Sequence, residues 1–300
     1  MTPDWIAVDW GTSNLRAWAM GPSGVLASAS SDEGMGKLSK AEFEPALLRV
    51  IASWLGAASM PVIACGMVGA RQGWMEAPYR RTPCAPVASG ELMAVPTRDP
   101  RLRMMIAPGL CQTKPADVMR GEETQIAGAL ALLPGFDGVF CLPGTHSKWA
   151  HVSAGEVVSF QTFMTGELFA LLSQHSVLRH GMAGEGADEA AFSQGLADAM
   201  ERPEKISARL FTLRAEGLLN DLPPASARAR LSGLLIGLEL AAAKPYWLGQ
   251  RIALIGAEAL SARYATALSA QGVASETLDA TACTLAGLAA ARGVLQKAQP

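Results

Sequence analysis

Charge is scarce in this chain: 17% of its 300 residues are Asp, Glu, Lys or Arg, against 50% hydrophobic. That balance excludes a disordered chain, which needs the opposite composition. The length suffices for one large domain, or for two lobes that each bury a core. Basic runs are missing and the formal net charge is −2, so no general attraction to nucleic acid or to an anionic membrane is expected. Closely spaced cysteine pairs are missing too. Cys65, Cys84, Cys111, Cys141 and Cys283 are scattered and odd in number, which argues against zinc ribbons and disulfide frameworks and for reduced thiols in a cytoplasmic protein. No basic segment precedes the first apolar strand, and Asp4 stands just before it, so no signal peptide is expected. The greasiest stretch, 231–243, is too short to span a bilayer and contains Glu239. Its Gly233 and Gly237 read as a site of close helix packing.

What is present opens as a meander. Ile6-Ala7-Val8 reads as a buried strand, Gly11-Thr12-Ser13-Asn14 as a turn, residues 15–20 as a second strand, and Val25-Leu26-Ala27 as a third after a turn at Gly24. A P-loop and a dinucleotide fingerprint both need their glycine turn to run into a helix, and here it runs into a strand. A helical period covers 43–55, an apolar strand ends at Gly66, a Gly- and Pro-rich stretch reaches about 100, and a helix is expected over 122–132. A second cluster follows: strand 139–142, turn Gly144-Thr145-His146-Ser147, strand 148–152, a turn at Gly155 and a strand from 156. Gly11-Thr12 is answered by Gly144-Thr145 and Trp18 by Trp149, which suggests two similar lobes facing each other across a cleft. Helices at 165–175, 228–243, 256–269 and 284–295 and a strand at 251–255 complete the pattern.

Each turn carries two readings. The N–H groups and small hydroxyls of Gly11, Thr12, Ser13 and Asn14 can cradle phosphate, with Asp9 offering a carboxylate to Mg²⁺; the alternative is an ordinary hairpin with Asp9 capping its own turn. Gly144, Thr145, His146 and Ser147 offer the same nest without the acid, so one turn alone would hold metal. His146 reads as a local hydrogen-bonding group or a phosphate ligand, and Lys148 is expected to face solvent. Gly256, after an apolar strand, leaves a surface without a side chain that a base or ribose can approach. Glu122 and Glu123, at a helix start, are partners of the helix dipole or else a general base for phosphoryl transfer. In the loop from Gly66 and Met67 to Tyr79, Arg71 is a candidate partner for a substrate carboxylate, while Trp74 and Tyr79 can equally cover core.

Taken in order, these strings resemble the 2-dehydro-3-deoxygalactonokinases. The resemblance lies in Ile6 to Trp18, in Gly66-Met67-Val68-Gly69 with Gly73-Trp74 and Ala77-Pro78-Tyr79, and in Val118 to Gln125. It continues in Pro143 to Trp149, Met164-Thr165-Gly166-Glu167-Leu168, Leu231 to Gly237 and Leu260 to Tyr264. The resemblance implies an α/β, two-lobed actin-like ATPase (ribonuclease H-like) fold with a duplicated β-meander core. The expected division is an N-terminal lobe over 1–115, completed by a C-terminal helix at 283–300, and a C-terminal lobe over 116–282. It implies an ATP- and Mg²⁺-dependent enzyme that phosphorylates the terminal hydroxyl of 2-dehydro-3-deoxy-D-galactonate in galactonate catabolism. Asp9 would then organise the metal, the two turns would converge on the triphosphate, and Gly256 with Ala257 would take adenosine. Glu123 is expected as base, with Glu122 as the second choice of register, and Gly66, Met67, Arg71 and Trp74 as sugar-acid contacts. Sugar acid and ATP are the partners implied, with a homodimer the assembly considered. A phosphohydrolase on the same fold and a non-catalytic sugar-acid sensor are the alternatives.

Overall fold

The computed structural model describes residues 3–88, 90–183, 186 and 188–297. In chain order it runs β1 (Trp5–Trp10), β2 (Leu15–Gly21), β3 (Gly24–Ser31), α1 (Phe43–Ile51), β4 (Met60–Gly66), β5 (Tyr79–Arg81), β6 (Met93–Val95), β7 (Leu102–Ile106), β8 (Gly109–Thr113) and β9 (Ala116–Met119). Then come α2 (Glu122–Leu132), β10 (Gly138–Leu142), β11 (Ser147–Ser153), β12 (Glu156–Phe163), α3 (Thr165–Gln174), α4 (Glu189–Glu201), α5 (Ile206–Leu219) and α6 (Pro224–Ala242). The chain closes with α7 (Lys244–Trp247), β13 (Ile252–Gly256), α8 (Glu258–Ser269), β14 (Ser275–Asp279) and α9 (Ala280–Lys297).

Contacts divide the chain into two compact units: 1–137 with 152–159 and 280–300, and 138–151 with 160–279. The boundary expected at 115/116 thus moves to 137/138. The reason is packing: α2 lies in the first unit, backbone to backbone on α9. A Cβ added at Gly128 would meet the Cys283 carbonyl oxygen at 1.8 Å, and one at Gly287 would meet that of Thr124 at 1.9 Å.

The first unit is built on a six-stranded sheet in the order β3-β2-β1-β4-β7-β6, with a three-stranded sheet β5-β8-β9 beside it in sequence. β1 pairs antiparallel with β2 and parallel with β4, in a register that sets Asp9 opposite Cys65 and Trp10 opposite Gly66. One sheet face is filled by Ile6, Val8, Trp10 and the buried stripe Phe43, Ala46, Leu47 and Ile51 of α1, the spacing of an amphipathic helix.

The second unit holds a five-stranded sheet in the order β12-β11-β10-β13-β14, with β10, β13 and β14 parallel. Its strand order repeats that of β3-β2-β1-β4-β7, so the duplicated meander read from the sequence is present. Helix α6 is buried on every side, and its Glu239 carboxylate is the polar centre of the core. Glu239 accepts hydrogen bonds from Trp149 Nε1 at 2.7 Å, from Tyr264 Oη at 2.7 Å and from the Thr165 hydroxyl. Tyr264 Oη in turn lies 2.9 Å from Ser147 Oγ. Burial pushes the Glu239 carboxyl up, and the surrounding hydrogen bonds oppose that shift. Among the described residues, no helix is long and apolar enough to cross a membrane.

Two stability predictions follow from this packing. Gly287→Ala adds helix propensity worth ~1 kcal/mol but drives a methyl into the α2 backbone, so a net loss of about 2 kcal/mol is expected in urea unfolding. Gly293→Ala, in the same helix with nothing within 4 Å of its added Cβ among the described residues, should be neutral or stabilising. Glu239→Leu strands two buried donors and a half-buried one and should cost roughly 3 kcal/mol or more, whereas Glu239→Gln, which keeps an acceptor, should lose about half as much.

Candidate active site

In the first unit the ends of β1 and β4 and the start of α2 come together. Gly66 has φ 92° and Gly121 φ 107°, conformations in which a Cβ is strained. Their backbones nearly touch, since a Cβ on Gly121 would lie 3.2 Å from Gly66 Cα. A Cβ on Gly66 would meet the Trp10 carbonyl oxygen at 2.8 Å and Asp9 Oδ1 at 3.5 Å. Two glycines therefore let the Asp9 turn and the α2 N-terminus share one spot. Both carboxylates, Asp9 and Glu123, act on the buried Cys65 thiol, whose Sγ is 3.9 Å from Asp9 Oδ1. Burial first, then Asp9, then Glu123 push that thiol well above its ordinary value.

Glu123 has no exposed surface. Its carboxyl accepts the Gly121 N–H at 2.7 Å and the Thr124 hydroxyl at 3.1 Å. Burial, and after it the neighbouring Glu122, push its pKa from the ordinary 4.5 to about 8. Glu122 is half-buried and accepts the Arg120 N–H at 3.0 Å. Asp9 is paired with the Arg16 guanidinium, which also reaches Thr281 Oγ1 of α9 at 3.5 Å. The turn beyond Asp9 is stitched by Gly11 N–H to the Asn14 carbonyl, and by the N–H groups of Met35 and Gly36 to the carbonyls of Gly11 and Thr12, each at 2.9 Å. Thr12, Ser13 and Asn14 are exposed.

In the second unit the turn before β11 exposes Thr145 and His146 and buries Ser147. Glu167 N–H donates to the Thr145 carbonyl at 2.9 Å, and α3 starts so close that a Cβ on Gly166 would sit 2.3 Å from the Gly144 carbonyl oxygen. The Glu239 centre grips this turn from below, through Tyr264 to Ser147 and through Thr165 at the first position of α3. His146 Nε2 is 2.5 Å from Glu167 Oε2. Lys148 is a correction: expected in solvent, it is buried, with Nζ 3.3 Å from the His146 carbonyl oxygen. The first four residues of β11 are all buried, so both faces of the sheet are covered there and the alternation that would expose it is lost.

Beside this turn is a cavity of about 450 Å³, lined by Gly144 and Thr145, by Thr165, Gly166 and Phe169, by Arg228, Ser232 and Ile236 of α6, and by Ala259, Leu260 and Arg263 of α8. Gly256 closes β13 and Ala257 precedes α8. Gly256 is hemmed in, since a Cβ there would meet Ser261 Oγ at 3.0 Å and the Pro143 carbonyl oxygen at 3.3 Å. Sequence reasoning assigned no role to Arg228, Ser232 or Arg263. Two of the family-like strings, Leu231 to Gly237 and Leu260 to Tyr264, run along the helices that line the cavity, and that was the available signal.

The four sugar-acid candidates separate. Gly66 lies at the carboxylate site, and Met67, the next residue, is half-buried. Trp74 packs into the core, its ring stacked 6.3 Å from Phe43 and edge-on 6.3 Å from Trp10. Arg71 stands out in solvent, its side chain 81% exposed and 3.4 Å from Glu76.

For Mg²⁺, the donor set is one carboxylate, Asp9, next to the hydroxyls of Thr12 and Ser13. No cluster of three or more His, Cys, Asp or Glu suited to a metal occurs among the described residues. Magnesium commonly takes one or two carboxylates and completes its shell with water and phosphate oxygens, so these residues fit an ion delivered with a nucleotide.

A family model described as 2-keto-3-deoxy-galactonokinase matches residues 9–291. A protein of Rhizobium meliloti (strain 1021), named as a probable 2-dehydro-3-deoxygalactonokinase, is 43% identical over 293 residues, 95% of each chain. The Escherichia coli (strain K12) 2-dehydro-3-deoxygalactonokinase is 38% identical over 275 residues, 91% of each. A crystal structure from Sinorhizobium meliloti, assigned to the same kind of protein, superposes with a TM-score of 0.89 at 43% identity, covering 96% of this chain and 97% of that one. Solved structures at 10–13% identity, with TM-scores of 0.50–0.54, share the actin-like ATPase fold alone. With the profile spanning both carboxylates and both glycine-threonine turns, the chain belongs to the 2-keto-3-deoxy-galactonokinase family.

Proposed function

We propose that this protein transfers the γ-phosphoryl group of ATP to the terminal (C6) hydroxyl of 2-dehydro-3-deoxy-D-galactonate, giving the 6-phosphate, in galactonate catabolism. The relatives' names support the substrate. The observation that carries the chemistry is Glu123, a carboxyl shut away from water, pushed up to about 8, and sharing the first unit's site with the Asp9 turn. A base is most useful when its pKa lies near the working pH, and a buried acid beside a second acid reaches that range.

In this reading substrate binding opens the site to Glu123, which has no exposed surface in this structure, and Glu123 then hydrogen-bonds the substrate hydroxyl and takes its proton. The hydroxyl oxygen bonds to the γ-phosphorus, the bond to the bridging oxygen breaks, and ADP leaves with that oxygen. Thr12, Ser13 and Asn14 in the first unit, and Gly144, Thr145 and His146 in the second, would each offer N–H groups or hydroxyls to phosphate oxygens without reorganising as charge shifts. The Gly11 N–H, by contrast, is taken by the Asn14 carbonyl, and the Ser147 hydroxyl is buried against Tyr264. Asp9 would hold Mg²⁺, which neutralises phosphate charge when bound. The adenosine enters the second unit's cavity next to Gly256 and Ala257, where Arg228 and Arg263 flank an apolar lining. All five cysteines are free, which suits the cytoplasmic location the reading includes.

A coupled assay with Mg-ATP tests the reading: ADP should form only when the sugar acid is present. ADP release that ignores the sugar acid would defeat it. The rate should also report the buried acid. kcat/KM for the sugar acid should climb with pH through a midpoint near 8 as Glu123 loses its proton. Glu123→Gln should remove that limb and cut kcat by roughly 10²–10⁴ while leaving ATP binding intact.

Stability should move the other way. The folded protein binds the Glu123 proton more tightly than the unfolded chain, so stability is lost as pH rises from the ordinary 4.5 towards 8. The gap corresponds to something on the order of 5 kcal/mol. Glu123→Gln, which carries no titrating group, should therefore be more stable than wild type in urea at pH 9 and no better at pH 5.

A further inference from the structure

Arg120 follows β9, three residues before Glu123, and is 8% exposed. Its Nη2 donates to the Ala77 carbonyl at 2.8 Å, and its guanidinium lies over the Tyr79 ring, 4.3 Å from the centroid. Nε and Nη1 are buried and have no acceptor among the described residues. Nor does the side chain form an ion pair among the described residues. Glu122, two positions on, takes its backbone N–H instead.

Another mostly buried arginine shows the usual solution. Arg230, in the second unit, has Glu216 at 2.5 Å and Asp198 at 3.7 Å. Guanidinium stays protonated in proteins, so an enclosed cation with two idle donors is costly unless an anion arrives. Stacking on Tyr79 returns part of that cost and keeps the guanidinium plane fixed. Gly69 makes room at the same place, since a Cβ there would press on Arg120 Nη1 at 3.0 Å and on Ala77 Cβ at 3.2 Å. The strings that hold the guanidinium, Gly69, Ala77 and Tyr79, all come from the glycine-rich loop whose role as a specificity element was read from sequence.

We propose that Arg120, rather than Arg71, is the specificity-determining cation that takes the C1 carboxylate of the 2-oxo sugar acid. This rests on the kinase reading above. Arg120 and Glu123 are three residues apart, so a substrate held by one lies within reach of the segment that carries the other. The left-handed Gly121 between them turns the chain, so the acid-binding and proton-accepting groups are set by one short stretch of backbone.

The test compares 2-dehydro-3-deoxygalactonate with its neutral C1 amide, using wild type, Arg120→Gln, Arg120→Lys and Arg71→Ala. Arg120→Gln should raise KM for the acid about 100-fold, the loss of one charge-assisted contact, with KM for ATP unchanged and the preference for acid over amide abolished. Arg120→Lys, which keeps the enclosed charge and so the fold, should lose about tenfold and retain some preference. Failure of wild type to phosphorylate the acid would defeat the kinase reading itself. A wild type that prefers the acid, with Arg120→Gln keeping that preference or Arg71→Ala abolishing it, overturns this inference alone. So does a crystal structure of wild type with the sugar acid in which the carboxylate lies away from Arg120, which needs no variant to fold.

Discussion

Helices α2 and α9 meet backbone to backbone at Gly128 and Gly287, closer than any side chain would permit. That contact brings the last helix of the chain against the one whose first turn carries Glu123. It leaves α2 little freedom to slide, so the carboxyl stays in a dry setting where desolvation governs its proton affinity. The same C-terminal helix reaches Arg16 through Thr281, and Arg16 holds Asp9. Asp9 and Glu123 are thus fixed, directly or through one intermediary, by a segment far away in sequence.

The two units share a strand order and put their buried acids to different use. In the first, Asp9 and Glu123 flank the glycine contact of Gly66 and Gly121. In the second, Glu239 is enclosed by Trp149, Tyr264 and Thr165 and acts as an internal brace under the exposed turn. Duplication supplied the frame, and burial decided which carboxyl became a structural acceptor.

Much of this was legible from patterns of apolar residues and glycine. The three-stranded openings, the turn that leads into a strand, and the limits of α2 at Glu122 and Leu132 all follow local rules. What escaped was set by tertiary partners. Lys148 sits where both faces of β11 are covered, so a lysine that local pattern sends to solvent is enclosed. Arg71 and Arg120 have equal claim on a carboxylate by composition, and only packing distinguishes a solvated side chain paired with Glu76 from a guanidinium wedged between Gly69 and Tyr79. Strand β5, three residues long and paired with β8 some thirty positions on, is too short to carry a period of its own. The position of α2 in the first unit follows from glycines at α2 and α9 that no short window connects.

Cys65 adds a chemical consequence. Thiols are attacked by oxidants, electrophiles and soft metals as thiolates, and this one lies in apolar surroundings next to two acids that discourage its ionisation. The sulfur nearest the candidate catalytic carboxylates should therefore remain chemically quiet, and a loss of activity caused by thiol reagents would have to be traced to another cysteine.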